Sequence, residues 1–224
     1  MLAICNSVFT DLSVSINSVK SKCMCIGPTY DRSLANIDIG LVPLQWADSL
    51  TYLGVKICSG KTFKVDFSET RRKFFMSVNV ILSKCKFTSD MVKLHLLESH
   101  CLPILTYATE SLNLPVSQLK EINSWWNSAY RKIFGYQKWE SVKLLICMLG
   151  RLDIHHLVNL RSIQFINNMS KGMSNNTVLK SVINVYSVCG EYRSLYDCYG
   201  CEDWWSPGKI KACIYSSFRN LASI

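Results

Sequence analysis

The chain has 224 residues, 49% of them hydrophobic and 18% charged, which excludes a polypeptide held open by self-repulsion and leaves room for one domain or two small ones. Twenty-five Lys and Arg against sixteen Asp and Glu give a net charge of +9, so anionic partners are favoured, nucleic acid before a membrane surface. The eleven cysteines lie scattered in apolar runs, and no basic n-region with an apolar h-region opens the chain. Reduced thiols in core positions of an intracellular protein are expected, and no apolar run approaches the ~20 residues that cross a bilayer.

From Met1 to about Val14, Leu2, Cys5, Val8, Phe9 and Leu12 recur at helical spacing, which predicts an amphipathic helix. No capping sequence precedes it, so further chain is expected to have stood before it. Three strand-like runs follow, Lys22 to Ile26, Ile37 to Leu44 and Thr51 to Ile57, each bounded by Gly, Pro, Asn or Asp. They predict a small antiparallel sheet that needs cover from elsewhere.

After Lys64 the pattern turns helical. Asp66 and Glu69 form an acidic variant of a capping box ahead of a stripe of Phe67, Phe74, Val78, Ile81, Leu82 and Cys85. A second helix is expected from Ser89, with Met91, Leu94, Leu97 and Cys101 inward and Pro103 kinking or dividing its continuation. A third begins near Ser117, turns Leu119, Ile122, Trp126 and Ile133 to one face, and stops at Gly135. Shorter helices fit Ser141 to Leu149, ended by Gly150, and Asp153 to Lys171, ended by Gly172. Residues 187–224 carry aromatics and cysteines with no clear period. The expected fold is α+β, mainly α: an N-terminal helix and small antiparallel sheet over residues 1–64, a helical bundle over 65–172, and a helical or irregular segment over 173–224.

Charge is concentrated in the middle of the chain, where residues 61–143 hold thirteen basic and seven acidic side chains. Arg71, Arg72 and Lys73 are consecutive, so at least one must point away from the core, towards a phosphate or simply towards water. Trp125 and Trp126 are adjacent, and only one is expected to face the core squarely, leaving the other to stack on a base or to cover a helix joint. Cys198-Tyr-Gly-Cys201, with Cys189 and Cys213, offers four thiols at spacings that match no zinc knuckle. The adjacent pair His155-His156 diverges by about 100° on a helix. No metal site is expected from either.

Three stretches in fixed order carry a resemblance: Asn17-Ser-Val-Lys20-Ser21-Lys22, then Tyr52-Leu53-Gly54-Val55, then Cys101-Leu-Pro103-Ile-Leu-Thr-Tyr107-Ala-Thr-Glu110. A fourth, Asn127 followed by Arg131-Lys132-Ile133-Phe134, continues it. Over roughly residues 1–170 the chain resembles the part of a non-LTR (LINE-like) retrotransposon reverse transcriptase that follows the catalytic aspartates. There an Asn-x-x-Lys-Ser turn follows a palm helix, a Tyr-Leu-Gly strand belongs to the primer-contacting hairpin, and a Leu-Pro-x-Leu-x-Tyr-Gly-x-Glu helix belongs to the thumb. The resemblance implies a palm remnant with a thumb-like bundle. It also implies contacts to RNA and DNA template or primer at Lys20, Lys22, Tyr52, Gly54, Arg71, Arg72, Lys73, Arg131 and Lys132, made through the backbone and without sequence preference. Lys20 occupies the loop whose lysine approaches the leaving pyrophosphate, although in this chain a solvated turn lysine is the stronger reading.

The departures set further expectations. The family's Tyr-Ala-Asp-Asp strand belongs just upstream of Met1, and the fingers are missing. Asp11, Asp31, Asp38 and Asp48 are scattered single acids, whereas two-metal nucleotidyl transfer needs carboxylates clustered around cations about 3.5–4 Å apart. The complete family uses Mg²⁺; for this chain no cofactor, no catalytic residue and no polymerase activity are expected. Ala108 replaces the thumb motif's Gly, a change that costs little on a helix. Two other functions fit the same sequence, a non-catalytic nucleic-acid-binding module and a structural helical interaction protein.

Overall fold

The computed structural model describes residues 2–32, 34–39, 42–112, 114–171, 176–178, 180–181, 197–200 and 207–222. The fold is α+β, mainly α, and divides into two compact units, Met1–Glu69 and Thr70–Ile224.

The first unit opens with α1 (Leu2–Asp11), which lies beside β2 and closes with Val14 N–H on the Phe9 carbonyl at 2.8 Å and Ser13 at a φ of +55°. The apolar stripe of α1 is turned outward, with Ile4, Val8, Phe9 and Leu12 exposed. The strands are two to four residues long because Gly and Pro interrupt them repeatedly. β1 (Lys22–Cys23) runs parallel to β4 (Gln45–Trp46), and β2 (Asp38–Ile39) antiparallel to β3 (Val42–Pro43). β5 (Ser49–Tyr52), β6 (Val55–Cys58) and β7 (Lys64–Val65) form one antiparallel sheet, with Tyr52 opposite Val55 and Ile57 opposite Val65.

Among the described residues the expected single antiparallel sheet is three small sheets, one of them parallel. Two of the three expected strands each hold a pair. The run from Ile37 to Leu44 contains β2 and β3, and the run from Thr51 to Ile57 folds back at Leu53-Gly54.

The second unit is helical, and its first helix, α2 (Ser68–Lys84), enters it at Thr70. Asp66 anchors the start of α2, its Oδ1 accepting the Ser68 amide at 2.9 Å and the Ser68 hydroxyl. This is a turn closed two residues ahead of the helix. α3 (Asp90–Leu96) is capped by Ser89 and continues through a π-helical turn, Leu97–Cys101, into α4 (Leu102–Thr106). The wider turn, closed by Leu102 N–H on the Leu97 carbonyl, lets the helix absorb Pro103, which has no N–H and would crowd the carbonyl four residues back.

α5 (Val116–Phe134) ends at Gly135, whose φ of +71° closes the helix with its amide on the Arg131 carbonyl. α6 (Lys143–Met148), α7 (Ile154–Lys171) and α8 (Pro207–Ala222) follow among the described residues; Gly172, read as the stop of α7, lies outside the described residues. α8 packs on α6 and α7 and buries Ile210, Ile214 and Phe218, one turn apart on one face. The centre is aromatic: the Trp126 ring lies 6.4 Å from Phe74 and 5.4 Å, edge on, from Tyr130.

Candidate nucleic-acid interface

In the first unit, the Asn17 side chain accepts the Lys20 amide at 3.1 Å while its carbonyl takes the Ser21 amide at 2.9 Å. An Asn three residues ahead of Lys20 thus builds the turn from its own side chain, and Lys20 is exposed at its end. Lys22 is exposed on β1, beside Gln45.

Tyr52-Leu53-Gly54-Val55 is a tight hairpin. Leu53 and Gly54 both have positive φ, 45° and 79°, the signature of a type I′ turn joining strands of natural twist. Gly54 therefore serves the turn, and not the strand bulge that a Gly inside a strand would mark. The tip holds Tyr52 and Leu53 well out into solvent, 64% and 73% exposed.

Lys22 and this tip are not brought together. The base of the hairpin joins the segment after β1 through Ser59 Oγ on the Cys25 carbonyl at 2.7 Å and Gly27 N–H on the Gly60 carbonyl at 2.9 Å. The tip stands at the far end of β5 and β6, about 10 Å away at 3.3 Å per residue. Along this hairpin Lys56 is tied to Asp66 at 2.8 Å. That hydrogen bond, with those from Ser68, holds the Asp66 carboxyl well below the usual range and raises the Lys56 ammonium.

In the second unit, side chains of α2 and α5 meet. The Arg71 guanidinium lies over the Trp125 ring at 5.8 Å, and Lys132 Nζ lies over the Phe75 ring at 5.5 Å while donating to Asn79 Oδ1 at 3.2 Å. Residues 71, 75 and 79 share one face of α2, so the two cations mark a basic seam about 12 Å long at 1.5 Å per residue. Arg72 and Lys73 are exposed further round the same helix. Arg131 is half-buried, with Nε donating to the Glu140 carbonyl at 2.8 Å. The expectation that only one of the paired tryptophans faces the core is overturned, because both Trp125 and Trp126 are buried. The face of Trp125 is already covered by Arg71.

The thumb-like motif holds a second correction. α4 ends at Thr106, and Tyr107 is extended, with φ −60° and ψ 126°. Ala108 takes a φ of +59°, and the Thr109 amide closes on the Thr106 carbonyl at 3.3 Å. This is a type II turn, whose third position favours Gly. Ala108 is therefore off the helix, where a Cβ is strained.

Asp11, Asp31, Asp38 and Asp48 lie on different elements, and among the described residues no group of His, Cys, Asp and Glu is placed to hold a metal ion. Cys189 and Cys201 lie outside the described residues; Cys198 is exposed and Cys213 half-buried. Of the nine described thiols, all free, only Cys101 is buried, so the expectation of core positions fails for the rest.

Two polar clusters escaped the sequence reading, the first because its members are 53 positions apart in the chain. Arg151 Nε donates to Glu98 Oε1 at 2.5 Å. Burial, with the Glu98 carboxylate, drives the adjacent Tyr130 hydroxyl far up from its ordinary value. Asp153 Oδ1 takes both the His156 amide at 2.9 Å and the His156 ring at 2.6 Å, fixing the start of α7. Burial works to raise the Asp153 carboxyl, but these bonds outweigh it and lower it. The His156 ring then packs on Phe218 of α8, centroids 4.9 Å apart.

The loop from Gly135 to Val142 was also passed over, although Lys138-Trp139 directly after the glycine stop of α5 was a visible signal. No helix among the described residues is long and apolar enough to cross a membrane. Comparison with known proteins finds no family model, no curated protein and no solved structure that matches the chain.

Proposed function

We propose that this chain is the palm-to-thumb portion of an RNA-directed DNA polymerase of the LINE-like class, and that as it stands it grips a nucleic-acid backbone without catalysing nucleotide transfer. The observation that carries the proposal is conformational. Among the described residues only Ser13, Leu53 and Ala108 have positive φ without being Gly, and Ala108 stands where the resembling thumb motif uses Gly. The same motif series places Gly54 at the second position of a two-residue hairpin turn. Unrelated sequences have no reason to align a family's glycines with the positions where the backbone turns left-handed.

The chemistry available is electrostatic. Arg71 and Lys132 along the α2–α5 seam, with Arg72 and Lys73 beside it, meet phosphates as fixed cations, and the hairpin tip offers the Tyr52 ring to a sugar. None of these groups reads a base edge, so binding is blind to sequence and dominated by counterion release. The sequence carries no counterpart of the family's paired aspartates, so primer extension is not expected with Mg²⁺ or Mn²⁺.

A salt titration of RNA and DNA duplex binding tests this. Log affinity falls linearly with log salt, each neutralised phosphate contributing roughly 0.9 to the slope on duplex DNA. Arg72→Ala with Lys73→Ala, which leaves Arg71 over Trp125, weakens all sequences alike and flattens the slope; adding Arg71→Ala extends the loss, with helicity checked by circular dichroism. Lys209→Ala with Lys211→Ala serves as the comparison. Equal losses in the two sets, or no binding at physiological salt, sink the proposal in favour of a structural helical protein.

A further inference from the structure

The loop that joins α5 to α6 holds Trp139 82% exposed, and it is a tied loop. The Arg131 guanidinium donates to the Glu140 carbonyl at 2.8 Å, the Glu140 carboxylate accepts the Gln137 amide, and the Glu140 amide returns to the Gln137 carbonyl at 3.1 Å. The Arg131 carbonyl meanwhile takes the Gly135 and Tyr136 amides. The loop's acidic and amide groups are thus used to fix its own backbone, and the indole is left facing water. A Trp ordinarily covers a helix joint; this one covers none among the described residues.

The charge around it is mainly positive, with three lysines against the single Glu140 carboxylate, which is turned onto the Gln137 amide. Lys138 precedes the indole, Lys132 stands in the last turn of α5, and Lys143 begins α6, so each stem of the loop carries a cation. Lys132 Nζ rests on the Asn79 amide oxygen at 3.2 Å, and Lys143 Nζ on the Leu221 carbonyl. Both acceptors are neutral, so the positive charge remains, and an ammonium has further N–H donors to offer. Among the described residues no carboxylate pairs with any of the three.

We propose that this loop is a stacking platform for an unpaired nucleotide, with the Trp139 ring under a base and Lys132, Lys138 and Lys143 holding the phosphates on either side. A rigid aromatic surface flanked by cations is how single strands are bound without sequence preference, because every base has a π-face and every linkage a negative charge. The proposal rests on the nucleic-acid reading of the chain and adds to it a preference, for a duplex with a single-stranded extension over a blunt one.

The test measures affinity for a fluorescent blunt duplex and for the same duplex with an oligothymidylate overhang, using the full chain and its Trp139→Ala, Trp139→Phe and Lys138→Ala variants. Trp139→Ala is expected to weaken overhang binding about tenfold, the scale of one lost base stack. Blunt-duplex affinity and helicity should stay unchanged, and Trp139→Phe should recover most of the loss. Lys138→Ala weakens both substrates and flattens the salt slope. Unchanged overhang binding in Trp139→Ala overturns the platform, as does an equal loss on blunt duplex. So does a fall in sedimentation coefficient of the nucleic-acid-free variant, which would mean that a second copy of the chain covers the indole. The two proposals separate cleanly. A Trp139-dependent overhang preference with no effect of Arg72 and Lys73 leaves the platform and removes the thumb-like seam; the reverse pattern removes only the platform; no nucleic-acid binding removes both.

Discussion

The two units use their apolar residues in opposite ways. In Met1–Glu69 only Leu44 and Val65 are buried among the described hydrophobic residues, while Ile4, Val8, Leu12, Val14, Val19, Tyr52 and Leu53 stand exposed. In Thr70–Ile224 the apolar stripes of α2, α3, α5, α7 and α8 converge, and Phe74, Trp126, Tyr130 and Phe218 are fully buried. The first unit is held by backbone pairing and local polar links, such as Asn17 to Lys20 and Lys56 to Asp66; the second is held by packing. Short paired strands close little apolar surface, so stability belongs to the helical unit.

The largest effect should come from striking that core. Trp126→Ala removes an indole packed against Phe74 and Tyr130 and is expected to lose about 3–5 kcal/mol in denaturant unfolding, whereas Leu12→Ala just past the end of α1 should stay within about 0.5 kcal/mol. A Leu12 loss as large as the Trp126 loss would mean that the stripe of α1 is covered in solution, and the contrast between the units would collapse.

Backbone strain gives a smaller effect of opposite sign in both units. Ala108→Gly relieves a Cβ at φ +59° and should stabilise the helical unit by about 0.5–1 kcal/mol after the added freedom of the unfolded chain is subtracted. In the first unit, Leu53→Asn creates the Asn-Gly pair that type I′ turns favour; it should slow amide exchange at Val55 and Ile57 without moving the main unfolding transition. If Ala108→Gly destabilises instead, the type II turn at Thr106–Thr109 is wrong.

The smallest effect is electrostatic and belongs to the second unit near neutral pH. Burial lowers the His155 pKa from its ordinary 6.5, so the unfolded chain binds the proton first. Stability is then complete above about pH 6.5 and declines as pH falls through the lowered folded value. The Asp153 carboxyl, also lowered from 3.8, adds a second loss only below that range. His155→Gln should flatten the fall in stability between about pH 7.5 and pH 5; an unchanged slope would place that sensitivity elsewhere.

Much of the helical unit was legible. The stripe Leu119, Ile122, Trp126 and Ile133 with its glycine stop located α5 to within a residue at each end, because a 3.6-residue period and a left-handed cap are local properties. The first unit was less legible for an equally local reason. A two-residue turn preserves the alternation of a strand, so Thr51 to Ile57 read straight through Leu53-Gly54, and a Leu in a position that favours Asn or Asp hid the turn. α8 was missed although Ile210, Ile214 and Phe218 recur every fourth residue, because Cys213 and Tyr215 break the contrast between its faces.

What the sequence determined by itself were the mixed but mainly helical class, the positions of the long helices and the basic excess of the middle region, all of which follow from composition and from periods shorter than one helix. The tertiary structure alone decided which of those residues meet. The covering of Trp125 by Arg71, the pairing of Glu98 with Arg151 and the packing of His156 on Phe218 each join residues more than fifty positions apart, and the left-handed turn at Ala108 is set where α4 must end. No local pattern encodes such pairs, because their partners are chosen by packing across helices and not by spacing along one.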